Sequence, residues 1–200
     1  MLSDGSSGKR KGFPPGQKPI KRLLRWGKDH PTIEGSVPKI DLRKWILTIE
    51  GEVKKPIKLS WNDLLKLPIV ESVSDFHCVE GWSVLDLKWE GIRFKHIVNM
   101  IEPEDTVKFV SFECADGYTT SLSLEELLGD NILLAYKLDG KYLEEGTGAP
   151  LRLVVPDKYA YKSAMWITRI KFTSRKEIGY WESRGYSDTA DIWKNDRFLR

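Results

Sequence analysis

Two hundred residues, 40% apolar and 30% charged, are the proportions of a globular chain with one core, and no run of about 18 apolar residues offers a membrane span. The net charge of +3 is unevenly placed: residues 1–28 hold eight Lys/Arg against one Asp, so the rest carries −4, which argues against a folded surface that grips nucleic acid. Two cysteines, Cys78 and Cys114, are too few for a disulfide framework and suit a reducing compartment.

Residues 1–28 read as a basic mobile leader that passes into an extended Pro/Gly-rich arm, with a folded domain over 29–200. Lys9-Arg10-Lys11 is followed by Gly12-Phe13-Pro14-Pro15-Gly16 instead of an apolar export segment, and no Arg-Arg pair marks a twin-arginine signal, so a cytoplasmic location is expected. Trp45–Gly51 is β-branched and aromatic and ends in Gly, the pattern of a strand. Ser60 with Asp63 caps a short helix that must end before Pro68, and 69–77 reads as a strand running into a Gly-containing turn. A buried strand is predicted over 107–114, then a helix opened by the capping box Ser123…Glu126 and stopped by Gly129. Asp139-Gly140 marks a hairpin between 132–138 and 141–143. Gly146-Thr147-Gly148-Ala149-Pro150 is a tight loop delivering Arg152 on a strand at 151–155, and a last strand spans 166–172. Strands outnumber helices and the connections are irregular, which gives an α+β fold with a mainly β core.

Three clusters carry chemistry. In Phe76-His77-Cys78-Val79-Glu80-Gly81-Trp82, alternation on an extended chain puts Cys78 and Glu80 on one side and His77 on the other. A nucleophilic Cys-His pair of sequence neighbours is therefore disfavoured, while His30 or His96 remains free to approach through the fold. Cys114, inside an apolar strand, reads as a small core side chain. Three scattered histidines and two cysteines lack the paired spacing of a zinc site. The second cluster, Arg152, Lys158, Lys162 and Ser163, offers a guanidinium fork, ammonium groups and a hydroxyl suited to an anion, without a nucleotide-binding glycine motif. The third is Asp116-Gly117-Tyr118, a turn that sets an acid at a strand end, either as a turn former or as a proton donor.

In this order the blocks resemble the molybdenum–pterin oxidoreductases of the sulfite-oxidase fold, over about residues 13–200. The resemblance rests on Phe13-Pro14-Pro15-Gly16-Gln17, on Val37-Pro38 with Asp41, and on Trp61 to Pro68. It rests most specifically on Asp75-Phe76-His77-Cys78-Val79-Glu80-Gly81-Trp82, Asp116-Gly117-Tyr118, Pro150–Pro156, Lys158-Tyr159 and Lys162-Ser163 with Trp166. It implies molybdopterin as cofactor, with Cys78 as the one thiolate that the protein gives to molybdenum, a soft donor suited to a redox metal. By the same resemblance Trp26, Asp29, His30, Phe112, Arg152, Lys162, Ser163 and Ala164 hold the pterin and its phosphate. Glu80 and Asp116 match acids near the metal in bacterial methionine-sulfoxide-reductase catalytic subunits. Glu80 stands where sulfite oxidases proper carry positive charge, so a sulfite dianion is disfavoured. Met165 replaces a lysine that often binds phosphate in the family.

The expected activity is two-electron chemistry, oxygen-atom transfer with a small S- or N-oxide, drawing on an electron partner that the sequence does not identify. Three alternatives stay open at this level: a non-catalytic pterin-binding protein, a thiol enzyme using Cys78 as nucleophile, and a binding module acting through the basic arm.

Overall fold

A computed structural model describes residues 12–199; the first eleven residues of the leader and arm expected over 1–28 lie outside them. Along the chain run β1 (Lys18–Pro19), β2 (Ile46–Gly51), β3 (Ile57–Ser60), α1 (Trp61–Leu64), β4 (Val70–His77), β5 (Trp82–Arg93) and α2 (Phe94–Ile101). Then follow β6 (Phe109–Cys114), β7 (Thr119–Ser123), α3 (Leu124–Leu127), β8 (Leu133–Leu138), β9 (Lys141–Tyr142), β10 (Arg152–Val154) and β11 (Ile167–Thr173).

The strands form two sheets. In one, the order is β3-β2-β11-β6-β7, antiparallel except for the parallel β2–β11 pair. In the other, the long β5 takes β4 along one edge, while β1 and β8 share the opposite edge; β10 and β9 extend β8. Successive side chains of a strand face opposite ways, and β8 shows the consequence. Leu134 and Tyr136 enter the main core, with Ile49, Phe112 and Phe172 of the first sheet and Phe94 and Ile97 of α2. Leu133 and Ala135 face a second core, with Phe76, Leu87 and Trp89, which Leu23 of the arm covers. The arm is laid against the body: Lys18 pairs with Trp82, and Leu23 is buried.

The elements expected from pattern all form, with ends displaced by a residue or two. Two large ones are absent from the sequence reading. In β5 the alternation of buried Leu87 and Trp89 with outward Lys88 and Glu90 is broken by Asp86, whose φ of 54° is left-handed. Gly91 further obscures it, yet is required there: a Cβ would lie 2.1 Å from the Leu134 carbonyl oxygen of β8. α2 buries Phe94, Ile97, Val98 and Ile101 at helical spacing, but no side chain caps its N-terminus, so the usual start signal is missing.

Both capping boxes exist, with Ser60 and Ser123 each accepting from the backbone N–H three residues on. Ser123→Ala should cost about 1 kcal/mol. For a chain of this size that is a fall of roughly 2–4 °C in Tm, read by calorimetry, with the other properties unchanged.

Candidate active site

The cysteine cluster sits at the tip of the β4–β5 hairpin. Cys78 N–H donates to the Trp82 carbonyl at 2.9 Å and Gly81 N–H to the Cys78 carbonyl at 3.0 Å, so residues 78–81 form a tight turn with Gly81 at φ 101°. Cys78 and Glu80 do share a side and His77 faces the other, but the tight turn after β4, not alternation along a strand, brings the first two together. Cys78 Sγ lies 3.8 Å from Glu80 Oε2, while His77 turns the other way to Ser83, 2.7 Å from its hydroxyl. Glu80 Oε2 also accepts from Trp82 Nε1 at 3.1 Å and lies 3.2 Å from His30 Nε2, which the arm brings across from the far side. His30 Nδ1 lies 2.9 Å from the Pro31 carbonyl, and its ring packs on Trp26 with centroids 4.9 Å apart.

Three other segments complete a cavity of about 430 Å³. The β6–β7 turn presents Asp116, whose carboxylate accepts from Tyr118 N–H at 3.1 Å, while Gly117 takes a φ of 77°. The loop before β11 presents Ser163, Ala164, Met165 and Trp166. It is pinned by Val155 N–H donating to Ser163 Oγ at 3.0 Å, by Leu153 N–H donating to the Ala164 carbonyl at 2.8 Å, and by Trp166 Nε1 donating to the Glu145 carbonyl at 2.7 Å. The chain after β11 adds an aromatic wall of Tyr180, Trp181 and Tyr186.

Burial shapes the acidities. The Cys78 thiol is pushed up to about 12, chiefly by desolvation, and the neighbouring Glu80 charge adds to this. A thiol so held is a poor nucleophile, which removes the support for a thiol enzyme. Burial, and then the Glu34 charge, raise the Asp116 carboxyl above the usual carboxylate range.

Of the residues expected at the site, Trp26, His30, Cys78, Glu80, Asp116, Ser163 and Ala164 all line this one cavity. Four others do not, and each is corrected by its surroundings. Asp29 is held by Arg22 at 2.7 Å and by the Arg25 N–H, which keep its carboxyl far below the ordinary range and make it a brace of the arm. Phe112 is wholly buried in the main core against Phe94. Arg152 is 1% exposed: its guanidinium donates to the Thr147 and Ser163 carbonyls and lies over the rings of Phe76 and Trp89, supporting the Ser163 loop from behind. Lys162 is fully buried in an ion pair with Glu182, so its ammonium is unavailable to an anion in the cavity. Lys158 is likewise engaged, by Glu126 at 2.6 Å and by the Thr189 carbonyl.

The donor set suits a metal that brings most of its own ligands. Among the described residues no three His, Cys, Asp or Glu side chains converge as a metal site, yet one thiol faces a roomy cavity walled by aromatic rings. That is the arrangement for a pterin-bound metal taking one thiolate from the protein.

Comparison with known proteins decides the family. Residues 34–181 match the family model of the oxidoreductase molybdopterin binding domain. The chain belongs to that family. It is 40% identical over 165 residues to the uncharacterized oxidoreductase YuiH of Bacillus subtilis, covering 82% of this chain and 83% of that protein. It is also 34% identical over 163 residues to the protein-methionine-sulfoxide reductase catalytic subunit MsrP of Campylobacter jejuni, covering 73% of this chain and 54% of the relative. The chain thus spans about half the length of that reductase. The fold matches the sulfane dehydrogenase SoxCD of Paracoccus pantotrophus, with a TM-score of 0.65 at 17% identity over 88% of this chain and 56% of that one. This molybdopterin-binding oxidoreductase therefore has the α+β sulfite-oxidase fold, and no described helix is long and apolar enough to cross a membrane.

Sequence reasoning missed the aromatic wall formed by Tyr180, Trp181 and Tyr186 and the part played by Tyr161 in the cavity. Their only advance signal is an aromatic-rich C-terminal stretch, which a core would also produce.

Proposed function

We propose that the chain reduces a small S- or N-oxide, R₂S=O + 2e⁻ + 2H⁺ → R₂S + H₂O for a sulfoxide, with Cys78 as the protein's thiolate ligand to molybdenum. The observation that carries this reading is the placing of Cys78, Glu80 and Asp116 around one aromatic cavity. When bound, the molybdenum–pterin group supplies a two-electron couple able to take an oxygen atom from the substrate.

The chain's own residues do the rest. Glu80, its side chain half-exposed beside Cys78, repels a dianionic substrate and admits a neutral one. The rings of Trp26, Trp166 and Trp181, with Met165, offer polarisable contact to a thioether or sulfoxide sulfur. Asp116, whose carboxyl burial shifts upward, is the acid placed to pass a proton to the departing oxygen. The relative named as a methionine-sulfoxide reductase supports the substrate class. A cytoplasmic setting belongs to the same proposal, supported by the two free, buried cysteines; fractionation of cells carrying the untagged protein tests it, and recovery outside the cytoplasmic membrane would reverse it.

Protein purified from a molybdenum-competent host should hold the metal and oxidise a reduced viologen when a sulfoxide or N-oxide is added. Less than about a tenth of a molybdenum atom per chain would overturn the reading, because such buried sites are tight. A protonated Asp116 donor works below its raised pKa and fails above it, so the rate should decline on the alkaline side. Asp116→Asn is expected to lower kcat roughly a hundredfold and to abolish that alkaline limb. An unaltered pH profile in the variant would assign the proton to another group.

A further inference from the structure

We infer that Gln17, backed by Ser83 and His77, is a positioning residue that fixes the backbone of Cys78 and with it the direction of the thiolate. The inference rests on the reading of Cys78 as the molybdenum ligand. The Cys78 carbonyl accepts from Gly81 N–H at 3.0 Å and from Gln17 Nε2 at 3.1 Å, while its own N–H is engaged by the Trp82 carbonyl. Both backbone polar groups of the ligand residue are therefore occupied, one of them by a side chain 61 positions earlier in the chain.

The directions of these bonds follow from elementary chemistry. A carbonyl only accepts, so Gln17 must turn its amide nitrogen toward Cys78. Its Oε1 is then left to accept the Ser83 hydroxyl at 2.8 Å. With its proton committed to Gln17, Ser83 Oγ accepts from His77 Nδ1 at 2.7 Å, which sets the imidazole as the Nδ1–H tautomer. The three side chains are buried, Ser83 completely, and bonds in such a chain polarise one another where the local dielectric is low. His77 and Ser83 are cross-strand partners in β4 and β5, so the hairpin itself aligns the relay.

Both ends of the chain hold the turn. Gln17 arrives with the arm, where Lys18 N–H donates to the Gly81 carbonyl at 2.8 Å. From the C-terminal side the Arg197 guanidinium donates to the Val79 carbonyl and, at 3.2 Å, to the Gly16 carbonyl. The ligand turn is thus immobilised by groups that never touch the metal, and the arm becomes part of the cofactor site.

The test uses the full-length, cofactor-loaded enzyme and the variants Gln17→Leu and Gln17→Glu. Glutamate still accepts from Ser83 but cannot donate to the Cys78 carbonyl, so it separates loss of positioning from loss of the whole relay. Both variants should show altered g values and cysteine proton couplings in the Mo(V) electron paramagnetic resonance spectrum. Their molybdenum content or kcat should fall by about tenfold, with KM within a factor of about two. Variants with a lowered Tm but the wild-type spectrum, metal content and kcat would make Gln17 a hairpin staple only and overturn the inference. Cys78→Ser separates the two ideas: wild-type molybdenum content and a wild-type Mo(V) spectrum in that variant would refute the ligand reading itself. Loss of the metal or a changed signal there, beside unchanged Gln17 variants, would refute the positioning role alone.

Discussion

Cys78→Ser should leave the protein folded and nearly free of molybdenum, with at least a tenfold drop in metal per chain. A serine hydroxyl is a harder donor that stays protonated where a thiol ionises on metal binding, so the one soft ligand of the chain is lost. Cys114→Ser is the control. Cys114 is about as buried, but it lies outside the cavity lining; burial raises its thiol first, and the Asp116 and Glu113 charges add to this. That variant should keep its metal and its Mo(V) spectrum. Elemental analysis and paramagnetic resonance read both, and equal losses from the two changes would remove Cys78 from its role. The raised thiol pKa adds a second readout: metal-free protein should react slowly with iodoacetamide at Cys78, against the behaviour of a catalytic thiolate.

Lys162→Met should destabilise the fold by about 3–5 kcal/mol, because it strands Glu182 as an unpaired buried charge. The ammonium lies within an enclosure of Glu182, Asp188 and the Ser121 carbonyl, and Glu182 also accepts from Thr120 at 2.8 Å. Burial pulls the lysine pKa down, and Glu182 opposes that shift. The loss corresponds to a fall of roughly 6–20 °C in Tm. Lys162→Met combined with Glu182→Leu removes both charges, and most of the stability should return. Thermal unfolding measures each step. A contact between Lys162 and the phosphate of the pterin would produce another result: molybdenum lost from the single variant and not restored by the double one.

The lysine shows why some assignments were legible and others were not. Cys78 and Glu80 share a side because the turn that Gly81 closes after β4 is a local feature, set by neighbouring backbone groups. The Asp116 turn, the two serine caps and the Asp139-Gly140 hairpin are equally local, each set within about four residues by hydrogen bonds or by left-handed φ. Lys162, Arg152 and Phe112 obey no such rule. A lysine or arginine on a strand end or 3-10 turn is written identically whether it meets solvent, a phosphate or a buried glutamate. Only the packing of residues 182 and 188 against the loop before β11 settles which.

By itself, then, the amino-acid order determined the mainly β architecture, the strand-end placing of the thiol with its acid, and the family to which they belong, all of which depend on near-neighbour geometry and motif order. Tertiary structure alone decided which basic groups are buried, that His30 reaches Glu80 across fifty residues, and that Gln17 holds Cys78. Those contacts join segments far apart in the chain. They exist only once two sheets and an arm have excluded water from the groups between them, and no local propensity encodes that exclusion.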